Sequence, residues 1–203
     1  VASRKDLMLE KIRNTIDGAA PTDEPVRIAC LASGPAREVE EFLLRNVPSR
    51  PVVWTLIDQD DRALSFANDR LVRAAVRHGN RIRVNCLYTS FRQLVNDPTL
   101  LGSLEDQDLV YSAGFLDYLK DPVARSVVEV SYNLLTPGGE LFFGNAADGP
   151  DVRWVPEFVL DWHMIYRSHE TLRDLVSTAA GAPAESVADT SAAWNFVTVR
   201  RET

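Results

Sequence analysis

Apolar positions along the chain follow a helical period in some stretches and a continuous strand-like pattern in others. Over residues 3–17, Leu7, Met8, Ile12 and Ile16 fall at roughly helical spacing, and Gly18 ends the run. A polar linker holding Pro21 and Pro25 follows, and then Val26 to Leu31 forms a short, apolar-rich strand. Arg37 to Arg45 predicts a helix with Val39, Phe42 and Leu43 inward, and Pro51 to Ile57 a second strand. Asp61 to His78 predicts a long helix with Leu64, Ala67, Leu71, Ala74 and Ala75 on one face, stopped by Gly79. Arg81 to Leu87 reads as a third strand, and Phe91 to Leu104 as a weaker helical stretch broken by Pro98. Gln107 to Ser112 is a fourth strand. Pro122 to Leu135 is a helix that stops at Thr136-Pro137-Gly138-Gly139, before a fifth strand from Glu140 to Gly144. Residues 146–168 predict a loop and an aromatic-rich helix, and Glu170 to Ala180 a further helix closed by Gly181. Val187 to Asp189 and Asn195 to Arg200 complete the strands.

This order predicts an α/β architecture: a Rossmann-like, doubly wound, mostly parallel seven-stranded sheet with helices on both faces. Right-handed crossovers would place a ligand at the carboxyl ends of the strands, where the strand order reverses. The length of 203 residues suits one domain, expected over 26–203, preceded by an N-terminal helix and linker over 1–25. The first residue is Val1 rather than methionine, which suggests a chain trimmed or cut from a longer one; a flanking domain or a homodimer stays an open expectation.

Charge and cysteine content narrow the classes. The formal net charge of −7 disfavours a nucleic-acid partner, because phosphate binding needs concentrated Lys and Arg. Arg70, Arg73, Arg77 and Arg81 read as a solvated helix face. Cys30 and Cys86 lie in apolar runs and are expected as buried free thiols, so nothing suggests secretion. No apolar run is long enough to predict a membrane span, no signal peptide is evident, and a cytoplasmic location is expected. Dispersed His78, His163 and His169 do not suggest a zinc site, and no nucleophile elbow suggests a hydrolase.

Candidate chemistry begins after the first strand. In Leu31-Ala32-Ser33-Gly34-Pro35-Ala36-Arg37-Glu38 a strand enters a turn of small residues and then a helix. Short side chains let a ligand lie against the backbone, and the helix aims its N–H groups at that ligand. Ala32, Gly34 and Ala36 take the alternate positions where a glycine-rich loop carries glycines; alone, the string is also compatible with an ordinary strand-to-helix turn. The second strand ends in Asp58-Gln59-Asp60, and Asp58 suits a bidentate bond to ribose hydroxyls, while Asp60 or Asp61 serves as helix N-cap.

The whole order from residue 26 to about 200 resembles the class I S-adenosylmethionine-dependent methyltransferases. The Pro137-Gly138-Gly139 turn before the fifth strand matches that family, as do the small-residue loop and Asp58. One departure is Cys30, which stands where many members carry an acidic residue. A closer resemblance links residues 31–37 and 107–167 to bacterial methyltransferases of 3-hydroxy fatty acid methyl ester biosynthesis. It is carried by Ala32 to Val39, by Asp108 to Leu119, by Gly144-Asn145 and by Asp161 to Arg167. The resemblance implies S-adenosylmethionine as cofactor, held by Ala32, Ser33, Gly34, Pro35, Asp58, Gln59, Ser112, Ala113 and Gly114. It implies a small-molecule methyl acceptor, with a fatty acyl carboxylate as one candidate.

Methyl transfer from a sulfonium asks the protein for alignment and exclusion of water more than for a catalytic triad. Asp117, Tyr118, Asn145, Tyr166 and Arg167 are the acceptor-side and catalytic candidates. Arg167 could clamp a carboxylate or pair with Glu170, Asp117 could instead cap a helix, and Asn145 could be a turn residue. Trp154, Phe158, Trp162 and Tyr166 recur four apart, as a core stripe or the wall of a lid. Two rival readings use the same residues: a cofactor-binding regulatory or interaction module, and a nicotinamide-dependent oxidoreductase.

Overall fold

The computed structural model of the chain describes residues 2–19, 24–97, 100, 104, 106–188 and 192–202. Seven strands form one sheet in the order β3-β2-β1-β4-β5-β7-β6. They are β1 (Val26–Leu31), β2 (Val52–Asp58), β3 (Ile82–Tyr88), β4 (Gln107–Ser112), β5 (Leu135–Ala146), β6 (Ala184–Ala188) and β7 (Trp194–Arg200). Strands β1 to β5 pair in parallel, while β7 runs antiparallel to both β5 and β6. The order reverses between β1 and β4, which opens a crevice at their carboxyl ends.

Two apolar layers close the sheet. On one face lie α1 (Ala2–Gly18), α2 (Arg37–Arg45) and α3 (Asp61–Ala75), which bury Met8, Ile12, Ile16, Phe42, Leu43, Leu64 and Leu71 against Ile28, Trp54 and Tyr111. On the other lie α4 (Phe91–Asn96), α5 (Asp121–Asn133) and α6 (His169–Ala180), with Leu94, Val127, Val128, Leu172 and Val176 against Leu31, Val110 and Phe143. Burying each such large side chain stabilises the fold by roughly 1.5–3 kcal/mol before entropy is counted. Covered on both faces, β1 and β4 are buried almost without interruption. The last helix, α6, ends at Gly181 in the left-handed conformation (φ 66°), as its sequence predicts.

Several expectations need correction. Cys86 is exposed, because β3 is an edge strand whose period does not tell edge from centre. Arg70, Arg73, Arg77 and Arg81 are all exposed, as expected, but not all unpartnered: Arg70 pairs with Glu40 at 2.6 Å, and Arg77 and Arg81 donate to backbone carbonyls. The long helix stops at Ala75 and yields to a 3₁₀ turn around Gly79. The fifth strand starts at Leu135, with Thr136-Pro137-Gly138-Gly139 inside it as an irregularity opposite Gln107 to Leu109. A Cβ on Gly139 would lie 2.8 Å from the Gln107 carbonyl oxygen, so only glycine fits there. The aromatic-rich stretch is a four-residue helix, Pro150–Arg153, followed by a π-helical turn, Trp154–Val159. Asp189 of the sixth predicted strand, Pro98, Leu101 and the linker's Pro21 lie outside the described residues.

Candidate functional site

The loop between β1 and α2 is built from strained backbone. Ala32 (φ 51°), Gly34 (φ 51°) and Ala36 (φ 45°) all take the left-handed conformation. These are the alternate positions expected to suit glycine, and each alanine there costs about 1 kcal/mol. The loop is held by Ser33 N–H donating to the Ile57 carbonyl at 3.2 Å and Ala36 N–H to the Ser33 carbonyl at 3.0 Å. Such strain persists only where surrounding contacts impose it, and it clusters at ligand sites.

Asp58, at the end of β2, fastens this loop. Its Oδ2 accepts from Gly34 N–H at 2.7 Å and its Oδ1 from Asp60 N–H at 2.9 Å. Asp60 in turn caps α3, accepting from the N–H groups of Arg62 and Ala63, the role its position predicts. An ionised carboxylate offers about four acceptor positions, so Asp58 keeps roughly two for a ligand. It opens on a crevice of about 150 Å³ lined by Ala32, Ile57, Asp58, Gln59, Thr89, Leu94, Phe115 and Tyr118. Small-molecule pockets usually measure roughly 300–1,000 Å³, so a nucleoside-sized ligand would extend out of the crevice along the loop.

The far wall comes from the carboxyl end of β4. Three buried oxygens, Ser33 Oγ, Ser112 Oγ and Asp117 Oδ2, have no hydrogen-bond partner among the described residues. Buried polar atoms are nearly always paired, so these orphans at the carboxyl ends of β1 and β4 mark a place where a polar ligand belongs. Gly114 is packed tight: a Cβ there would meet Asp117 Oδ2 and the Trp194 ring, each at 2.9 Å. Asp117 is 1% exposed, and its Oδ1 accepts from Ala146 N–H at 2.7 Å. Burial pushes its carboxyl from 3.8 up to about 7, against the opposing pull of the Ala146 N–H and of Arg4 and Arg167.

The acceptor-side candidates separate into two groups. Tyr118 lines the crevice and stacks on Trp162, ring centroids 6.3 Å apart. Arg167 instead lies beneath the site, 2% exposed. Its guanidinium donates to the Leu116 and Leu119 carbonyls (2.9 and 2.7 Å), to Asn145 Oδ1 (2.6 Å) and to Asp121 Oδ1 (2.8 Å). It therefore has no free fork for a substrate carboxylate, and its ion-pair partner is Asp121 rather than Glu170. Asn145 is fully buried and donates to the Ala146 and Ile165 carbonyls. Together these two side chains lock the loop after β4 against residues 165–167. Tyr166 is half-buried with the Arg153 guanidinium 4.6 Å from its ring centre, and the exposed His163 faces Asp161.

The aromatic spacing does not produce a core stripe, since Trp154, Phe158 and Trp162 are all exposed. The π-helical turn at 154–159 widens the period and throws Trp162 and Tyr166 off the face of Trp154. Trp154, Phe158, Leu160 and Trp162 are instead exposed, and Trp162 stacks on Tyr118 at the crevice.

Sequence reasoning missed Glu38. Cys30 leaves β1 without its acid, yet Glu38 from the first turn of α2 brings a carboxylate beside it. Tyr111 donates to Glu38 Oε1 at 2.8 Å and the Cys30 thiol lies 4.0 Å from the same oxygen. Burial raises Glu38, and raises Cys30 and Tyr111 further. The signal was an acidic residue in the first turn after the small-residue loop. Ile57, Thr89, Leu94 and Phe115 were also missed as lining residues, because only the assembled sheet brings those strand ends together.

A larger cleft of about 600 Å³ lies where the strands begin, lined by Arg27, Arg50, Asp108, Glu140 and Arg200 among others. It lacks the loop-to-helix turns that the carboxyl edge supplies, so the smaller crevice is the better candidate. Among the described residues no group of His, Cys, Asp and Glu could hold a metal ion, and no helix is long and apolar enough to cross a membrane.

No protein-family profile matches the chain, and no curated protein sequence is similar to it. Solved structures do share its fold. A possible exported protein from Bordetella parapertussis superposes with a TM-score of 0.73 at 18% identity, over 98% of this chain and 67% of that one. Magnesium protoporphyrin IX methyltransferase from Synechocystis, solved with bound S-adenosylhomocysteine, gives 0.70 at 9% identity, over 99% and 84%. N-methyltransferase NodS from Bradyrhizobium japonicum, in complex with S-adenosylhomocysteine, gives 0.64 at 18% identity, over 98% and 87%. The chain spans 56% of the methyltransferase SibL, little more than half its length. At these identities the likeness establishes the mostly parallel, seven-stranded methyltransferase-type fold.

Proposed function

We propose that this chain is an S-adenosylmethionine-dependent methyltransferase whose acceptor is the carboxylate of a small acyl compound, such as a hydroxy fatty acid. The observation that carries the reading is a crevice lined by Asp58 and by Ala32 of the strained loop, with orphaned oxygens of Ser33, Ser112 and Asp117 at the neighbouring carboxyl ends of β1 and β4. The residues fit the cofactor. Asp58 has acceptor capacity for paired ribose hydroxyls, and Ile57, Leu94 and Phe115 form an apolar wall for a flat ring. Ser33, Gly34 and Pro35 supply the loop, Gln59 the rim, and Ser112, Ala113 and Gly114 a floor of small residues. The two methyltransferases of the same fold with bound S-adenosylhomocysteine support this choice.

When bound, S-adenosylmethionine supplies an electrophilic methyl group and its own leaving group. The chain's task is alignment and dryness. Gly114, with no side chain, lets Asp117 and the Trp194 ring close tightly on the loop after β4. Phe115 and Leu94, both buried, keep water from the crevice. A carboxylate acceptor is already ionised and needs no general base. The exposed aromatic pair Tyr118 and Trp162 at the crevice, with Phe158 and Leu160 exposed on the same segment as Trp162, supports an acceptor with a hydrocarbon chain.

The test is incubation with S-adenosylmethionine and a panel of medium-chain 3-hydroxy acids, followed by mass spectrometry. The expected product is a methyl ester that alkali hydrolyses. An alkali-stable ether or amine product would overturn the carboxylate assignment and leave the methyltransferase standing. Cofactor binding without turnover on any acceptor would favour the regulatory module instead.

A further inference from the structure

The segment after β5 is folded inside out. Val152, Arg153, Pro156 and Glu157 are half-buried, whereas Trp154, Val155, Phe158, Val159 and Leu160 face water. A surface helix ordinarily turns its apolar side to the core and its charges outward. We propose that residues 148–164 form a lid in its open position, which closes over the crevice when the acceptor's hydrocarbon chain enters, with Trp162 and Phe158 covering that chain. The proposal rests on the acyl-acceptor reading above.

The ends of the segment are fixed beside each other. Ala147 forms a parallel bridge with Arg167, and Arg167 N–H donates to the Ala146 carbonyl at 3.1 Å. Ile165 N–H donates to the Asp117 carbonyl at 2.7 Å. The chain between these anchors leaves the sheet and returns to the same place, as a compact surface loop does. Two positions within it suit hinges, which are a few loop residues able to absorb a backbone change. At Gly149 an added Cβ would have only the Val152 side chain near it among the described residues, at 3.8 Å. Asp161 holds a left-handed φ of 49°, a costly conformation for a residue with a side chain. The π-helical turn at 154–159 lies between the two. The segment already touches the crevice, because Trp162 stacks on Tyr118, one of its lining residues. Phe158 is four residues from Trp162, so it lies within about 14 Å of that contact along the chain.

The open position is held weakly. Arg153 pairs with Asp148 at 2.7 Å, with both side chains exposed, and lies over the Tyr166 ring. Exposed ion pairs contribute little, whereas covering a large aromatic side chain with hydrocarbon contributes more. An empty crevice of about 150 Å³ offers Phe158 and Trp162 little apolar surface, and an acyl chain lying out of it supplies that surface. A ligand shifts an equilibrium only through contacts that differ between the two states. Closure therefore responds to the acceptor's chain and not to its carboxylate.

The experiment is limited chymotrypsin digestion of the whole chain saturated with S-adenosylhomocysteine, with cut sites mapped by mass spectrometry. Decanoate, decanol and acetate are added separately, and binding of each is measured by calorimetry. Without them, cleavage after Trp154 and Phe158 should come first. Decanoate and decanol should each slow it about 10-fold or more, since cleavage tracks the open population, and acetate should leave it unchanged. Trp162→Ala should lose the protection at Trp154 and bind decanoate about 10-fold more weakly, with Trp162→Phe restoring both. Phe158→Ser removes an exposed side chain, so it should keep the wild-type melting temperature and S-adenosylhomocysteine affinity while weakening decanoate binding. Bound decanoate with unchanged cleavage overturns the lid, as does equal protection by acetate. Protection that grows with protein concentration and needs no ligand also overturns it, because the face is then a contact between copies. The two claims fail separately. Protection by decanoate and decanol without methyl ester formation sinks the carboxylate reading and keeps the lid, whereas ester formation with unprotected Trp154 and Phe158 sinks the lid alone. Binding of neither ten-carbon ligand sinks the acyl acceptor and the lid with it.

Discussion

Replacing Asp117 with asparagine should change how stability depends on pH. The carboxyl is 1% exposed, and burial raises it from 3.8 to about 7. Between those values the unfolded chain releases a proton that the folded chain retains. Stability therefore falls as pH rises through that window, and the full penalty is in place above the folded value. At about 1.36 kcal/mol per pH unit, the penalty reaches roughly 4 kcal/mol as an upper bound. Asparagine keeps an oxygen for the Ala146 N–H and cannot ionise. Near pH 5, little more than one unit above the unfolded value, only about a third of that penalty is present, roughly 1.5 kcal/mol, so the gap between the two proteins should be smaller there. Near pH 8 Asp117→Asn should be the more stable, by as much as a few kcal/mol. Glu38 is raised by burial as well, but it is present in both proteins and cancels in the difference. Urea unfolding followed by circular dichroism at the two pH values measures the effect, with an unchanged m-value as the check on two-state behaviour. Parallel stability profiles for the two proteins would refute the reasoning.

Other predictions concern the loop and the staple beneath it. Asp58→Ala removes the acceptor of Gly34 and Asp60 N–H and the proposed ribose contact, so S-adenosylhomocysteine affinity by calorimetry should drop at least about 10-fold. Ala32→Gly relieves an exposed left-handed alanine (φ 51°) and should raise stability by about 1 kcal/mol, seen as a melting-temperature rise of roughly 2–4 °C with ligand binding retained. Arg167→Met strands the Leu116 and Leu119 carbonyls and Asn145 Oδ1, and should cost about 3–5 kcal/mol in denaturant unfolding.

The bounds of β1, α2 and β4 could be read directly from the sequence, because each holds a short apolar core or helical face flanked by small or polar breakers. Asp58 could be placed at the crevice for the same reason: it ends a recognisable strand. Arg167 could not be read correctly. Its surroundings are carbonyls of Leu116 and Leu119, supplied by a loop distant in sequence, and a guanidinium looks the same whether it meets solvent or backbone. The aromatic spacing misled for a local reason. Leu160 N–H bonds to the Val155 carbonyl and Trp162 N–H to the Pro156 carbonyl, so the helical phase is lost just where the stripe was extrapolated.

The central claim is that the crevice beside Asp58 takes an S-adenosyl ligand. Calorimetric titration of S-adenosylhomocysteine into the purified chain, alongside NADH, measures it most directly. The account predicts one site with a dissociation constant on the order of micromolar for S-adenosylhomocysteine and no comparable binding of NADH. Absence of heat at millimolar S-adenosylhomocysteine, or saturable binding of NADH alone, would contradict it.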